Sequence, residues 1–106
     1  MNRYGFLILF VVMMIATPAM AASEEAAWKE SYRLEGIGQY AKAIEVLETA
    51  KTMKSGRELT ILRFAWLNYL QAKYNDSTKL YESAIKLNLD SIDARLGIAL
   101  PLLAQQ

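Results

Sequence analysis

The side chains of this sequence that could do acid–base chemistry are carboxylates in two pairs, Glu30 with Glu35 and Asp90 with Asp93. Two acids facing each other across a sugar ring can cleave a glycosidic bond, one as proton donor and the other as base or nucleophile. A plainer reading is the stronger one. The first pair fits the solvated face of a helix, and the second fits a helix start, where Asp is favoured on capping grounds alone. The chain has no His and no Cys, so the usual general base, thiol nucleophile and soft metal ligands are missing. Gly36-x-Gly38 follows no strand and lacks the spacing of a phosphate-binding loop, which makes it a turn. No enzyme activity, metal or cofactor is expected.

The remaining signal is internal repetition. Gly38-Gln39-Tyr40-Ala41-Lys42-Ala43 through Ala50 returns 34 residues later as Ala72-Lys73-Tyr74-Asn75-Asp76-Ser77 through Ala84. Tyr40 pairs with Tyr74, Ala43 with Ser77, Leu47 with Tyr81 and Glu48 with Glu82. The same register aligns Ser31, Ala65 and Ala99, all small. It also aligns Trp28 with Leu62 and Leu96, and Tyr32 with Trp66 and Leu100, all large and apolar or aromatic. A small residue at one fixed point lets two helix backbones approach, and large ones a turn away fill the space around it. A 34-residue period is that of a helix–turn–helix array.

Five helices are expected in the mature chain. Ser23 caps the first, with Glu24 and Glu25 at its positive end and Glu25–Lys29 as an i,i+4 pair; it stops at Gly36-Ile37-Gly38. The second runs from about Tyr40 to Met53. Ser55-Gly56-Arg57-Glu58 has the form of a capping box and opens a third, which ends near Gln71 and is apolar on most sides. A helix of that kind expects neighbours on several faces. The fourth spans about Asn75 to Asn88 with a Glu82–Lys86 pair, and Asp90 or Ser91 caps a fifth from Ile92 onward. Pro101 falls inside it, where the missing N–H and the crowding of the Gly97 carbonyl predict a kink.

The 106-residue chain has room for one small domain. Residues 1–21 read as a secretory signal peptide. Arg3 supplies the positive charge, Phe6 to Ala16 the apolar run and Ala19-Met20-Ala21 the small residues at the cleavage site, leaving a mature domain over 22–106. The alternative is an uncleaved membrane anchor, for which the run is short against the ~20 residues of a span. The expected location is the periplasm or the exterior, with no membrane span in the mature chain. Loss of Arg3 leaves 11 basic against 11 acidic side chains. A neutral chain of interspersed charges has no electrostatic footprint for nucleic acid or anionic lipid.

These residues resemble a tetratricopeptide repeat protein, whose units follow W-x2-L-G-x2-Y, then A-x3-F, then P over two antiparallel helices. Gly38, Tyr40, Ala43, Leu47 and Ala50 match in one unit, and Tyr74, Ser77, Tyr81 and Ala84 in the next. Ala65 and Ala99 stand where the family prefers Gly or Ala, and Ala94 to Leu100 looks like the first helix of a third unit. The resemblance implies an all-α, antiparallel helix–turn–helix repeat array, an α-solenoid of about two and a half units over 24–57, 58–91 and an incomplete 92–106. There are departures. Ser55 and Leu89 replace the closing prolines, Trp28 lies one residue late, and Glu30 stands where an apolar residue is expected. The first helix is therefore either an end cap with a face in water or shifted in register. The chain stops at Gln106, before a second helix of the third unit, so Leu96, Ile98, Leu100, Leu102 and Leu103 would lack cover. The expectation is a segment of a longer array, or an end covered by another protein or by self-association.

The resemblance also implies a concave groove lined by the first helix of each unit. Its residues would be Trp28 and Tyr32, then Leu62, Trp66 and Tyr69, then Leu96 and Leu100. Trp and Tyr give large contact area with a polar tip, although the same side chains serve equally well as packing between helices. Trp66 with Tyr69 is the expected hot spot. Family members that clamp a C-terminal carboxylate use Lys and Asn at positions held here by Trp28 and Tyr32, so that mode is not expected. The functional expectation is a scaffolding module that holds a protein or peptide in the bacterial envelope. The alternatives are a cell-wall glycan-binding module that uses the groove aromatics and the leading segment of a larger outer-membrane or export protein.

Overall fold

The computed structural model describes residues 23–49 and 57–106. The signal-peptide assignment, the end of the second helix and Ser55 of the capping box lie outside them. The described residues form five α-helices: α1 (Glu24–Gly36), α2 (Tyr40–Glu48), α3 (Glu58–Leu70), α4 (Tyr74–Leu87) and α5 (Ile92–Ala104). No strand occurs among the described residues. The helices pack in adjacent pairs, α1 on α2, α3 on α4 and α4 on α5, with α3 also touching α2 and α5. This is an all-α helical repeat array.

The 34-residue period is kept by the backbone itself. The residues before α1, α3 and α5 are Ser23, Arg57 and Ser91, evenly spaced in the sequence, and α2 and α4 both open on a tyrosine in the same register. This removes the alternative of a register shift in α1. The turn inside each unit is also repeated. Gly38 and Ala72 hold the same position and both take positive φ, +79° and +61°. Gln39 N–H donates to the Leu34 carbonyl at 2.8 Å and Lys73 N–H to that of Asn68 at 2.9 Å. Gly38 and Ala72 N–H likewise reach the carbonyls of Glu35 and Tyr69. Such bonds satisfy the orphan carbonyls at a helix end through one left-handed residue.

Caps and ion pairs differ in detail from the expectation. Ser23 and Ser91 cap as expected, accepting from Ala26 N–H and Ala94 N–H at 3.2 Å. Glu58 is not the third residue of a capping box, because α3 starts at Glu58 itself with Arg57 before it. The Glu58 carboxylate instead accepts from Asn88 Nδ2 at 3.2 Å, joining the start of α3 to the loop before α5. The expected Glu25–Lys29 and Glu82–Lys86 pairs do not form. The ion pairs among the described residues are Glu30–Arg33, Glu24–Arg57 and Glu35–Arg63. Long side chains at exposed i,i+4 positions lose about as much rotamer entropy as they gain in attraction.

Ser31 and Ala43 where α1 crosses α2, and Ala65 and Ser77 where α3 crosses α4, are fully buried. Leu34, Ala43 and Leu67 form the core centre, with Tyr40, Ile44, Val46, Trp66 and Leu70 packed on it. Helix α3, apolar almost all round, sits in the middle with neighbours on several sides, as its sequence requires. Glu30 stays at the surface paired with Arg33, so α1 keeps a wet face. Between α4 and α5 the Tyr81 ring, 4% exposed, lies where a Cβ on Gly97 would have to be. Helix α5 continues through Pro101, whose ring is buried.

Candidate functional site

The first helices of the three units bring six side chains to one open cleft of ≈ 210 Å³: Trp28, Tyr32, Leu59, Leu62, Arg63 and Asp93. Trp28 and Tyr32 stand one turn apart on α1, with ring centroids 6.0 Å apart and planes inclined by 35°. Leu59 and Leu62 come from α3, and Asp93 from the first turn of α5. Three residues of the predicted groove thus meet in one place, Trp28, Tyr32 and Leu62.

The other four lie elsewhere. Trp66 packs against the Leu34–Ala43–Leu67 core and stacks on Tyr69, with centroids 5.7 Å apart. Tyr69 continues to Tyr74 at 5.8 Å. Leu96 and Leu100 are exposed on α5, by 69% and 39%. Leu102 and Leu103 are exposed on the same helix.

The wall of the cleft is organised by Arg63, a residue that the sequence reading did not single out. Its side chain is buried between α1 and α3. The guanidinium donates from Nη2 and Nε to Ser31 Oγ, at 3.0 and 3.3 Å, and from Nη1 to the Glu35 carboxylate. Its Cζ lies 4.2 Å from the centre of the Tyr32 ring. Ser31 passes the interaction on, donating its hydroxyl to the Ala43 carbonyl at 2.8 Å. A serine hydroxyl can accept two bonds while donating one, so a single buried atom links α1, α2 and α3. A buried cation persists only when paired and hydrogen-bonded. Here Glu35, Ser31 and the face of Tyr32 meet that need, and Tyr32 is fixed in the cleft as a consequence.

The sequence did carry a signal for Arg63. It is the one formal charge between Glu58 and Lys73, in a stretch otherwise dense in Leu, Phe, Trp and Tyr. Leu59 was overlooked too, although it shares its register position with Glu25 and Asp93.

The candidate acid pairs are separated in use. Glu30 accepts from Arg33, whose hydrogen bonds hold the Glu30 carboxyl below the usual range. Glu35 is bound to Arg63. Asp90 N–H bonds to Asn88 Oδ1 at 3.1 Å, while Asp93 belongs to the cleft. No helix among the described residues is long and apolar enough to cross a membrane. No protein-family model matches the sequence, and no curated protein matches it.

Proposed function

We propose that the protein is a tetratricopeptide-like binding module of the bacterial envelope that holds a protein or peptide segment against the first helices of its units. The observation that supports this is the cleft itself. Aromatic and leucine side chains from successive units are held open to solvent around it, on a wall fixed from behind by the Arg63–Glu35–Ser31 cluster. A site of that kind gives affinity through burial of Trp and Leu and needs no reactive group. The module works as a scaffold and carries no catalysis of its own. Its export follows from the leader-like residues 1–21.

Photo-cross-linking in intact cells tests this. p-Benzoylphenylalanine placed at position 32, inside the cleft, should give a discrete protein adduct. The same group at position 79, exposed on α4, should not. Equal adducts at both positions would remove the cleft as the binding surface. A peptidoglycan-linked product at position 32 would transfer the reading to cell-wall glycan.

A further inference from the structure

We infer that the cleft selects a positively charged peptide segment, an Arg or Lys side chain next to a leucine-type anchor; this rests on the reading of the cleft as a peptide-binding surface. The argument is one of charge left over. Of the two ionised groups that line the cleft, Arg63 is already neutralised by Glu35 and covered by Tyr32. Asp93 is exposed and makes no ion pair or side-chain hydrogen bond with any described residue. Among the described residues the cleft therefore presents one carboxylate with no side-chain partner, at the first turn of α5. Glu25, in the same register position on α1, is also exposed and without an ion pair among the described residues. The two carboxylates mark the first and third units at one level of the array, with Leu59 between them in the second.

The apolar part of the lining fits the same occupant. Arg and Lys carry a long hydrocarbon stem below a charged head, and Trp attracts such a head over its face while a carboxylate binds it directly. Trp28 and Asp93 supply those two elements in one cleft, and Leu59 and Leu62 supply contact for the stem and for an adjacent apolar residue. At ≈ 210 Å³ the cleft suits one or two side chains, so the selected element is short. An acidic segment would meet Asp93 with like charge, and the one cation among the lining residues, Arg63, is already paired with Glu35.

Three probes separate the possibilities: acetyl-Leu-Arg-Leu amide, acetyl-Leu-Gln-Leu amide and acetyl-Leu-Glu-Leu amide, each titrated into the 15N-labelled protein. The Trp28 indole N–H and the Asp93 amide report binding. The Arg peptide should bind about 2- to 5-fold more tightly than the Gln peptide, and the Glu peptide more weakly than both. Asp93→Asn should abolish the Arg preference, so that the Arg and Gln peptides bind alike, and added salt should erode the preference in the wild type. Arg and Gln peptides binding alike, or Asp93→Asn weakening both equally, would overturn the charge selection while leaving a peptide-binding cleft. No shift at Trp28 with any peptide would overturn the cleft reading and this inference with it.

Discussion

Ser31 and Ala43 meet where α1 crosses α2, with the serine hydroxyl donating to the alanine carbonyl at 2.8 Å. In the next unit Ala65 and Ser77 occupy the same two positions with the partners exchanged. There Ser77 on α4 donates to the Ala65 carbonyl on α3, again at 2.8 Å. Each crossing thus has one small hydroxyl and one alanine, and the backbones approach closely whichever helix carries the oxygen. The difference lies in the second duty of Ser31, which also accepts from Arg63.

That difference predicts unequal costs for two similar substitutions. Ser77→Ala removes one neutral hydrogen bond and should cost about 1 kcal/mol. Ser31→Ala also takes an acceptor from a buried guanidinium and should cost about 2–3 kcal/mol. Urea unfolding of the two variants measures the gap, and equal costs would mean that Arg63 does not depend on Ser31.

The turn position shared by Gly38 and Ala72 predicts opposite signs. Ala72 holds φ +61° with a Cβ that this region disfavours. Ala72→Gly should stabilise the protein by about 0.5–1 kcal/mol, the relieved strain exceeding the added entropy of the unfolded chain. Gly38→Ala, at φ +79°, should destabilise it by about 1 kcal/mol. Thermal unfolding of both variants checks the pair.

Much of this geometry was legible in advance. The helix starts, the small residues at the crossings and the turn at Gly38 follow from a period in the sequence, because they depend on residue size and backbone alone. Arg63 was not legible in the same way. Its register partners are Lys29 and Gly97, so the repeat gives no reason to expect a buried cation. Its acceptor Glu35 lies on another helix, reached through packing that no local pattern encodes. The groove divided for a related reason. Periodicity places Tyr32 and Trp66 one register step apart on similar helices, but only the middle helix α3 has neighbours enough to draw its ring against the core.

Glu58 and Tyr81 are two of the side chains that contribute to the pH dependence of stability. The Ser91 hydroxyl, and then the Asn88 amide, hold the Glu58 carboxyl below the ordinary glutamate range. Its contribution is present above that range and is lost as pH falls through the lowered value. Glu58→Gln should flatten the acid side of the stability profile. Burial, followed by the charge of Tyr69, pushes the Tyr81 hydroxyl up. Its contribution is full below the ordinary tyrosine value of about 10 and is lost as pH rises through the raised one. Tyr81→Phe should extend stability on the alkaline side. Urea midpoints measured across pH for the two variants test both edges.

The central claim is that the aromatic residues of α1 are held for a partner while their counterpart on α3 is held for the fold. Trp28→Ala and Trp66→Ala, each assayed by urea unfolding and by cross-linking yield from position 32, test it directly. Trp28→Ala should cost about 1 kcal/mol of stability, since the ring is only partly buried, and should lower the cross-linking yield at least ~10-fold. Trp66→Ala should cost about 3 kcal/mol of stability through the core. A Trp28→Ala variant that unfolds, or that folds and cross-links as well as the wild type, would contradict the account.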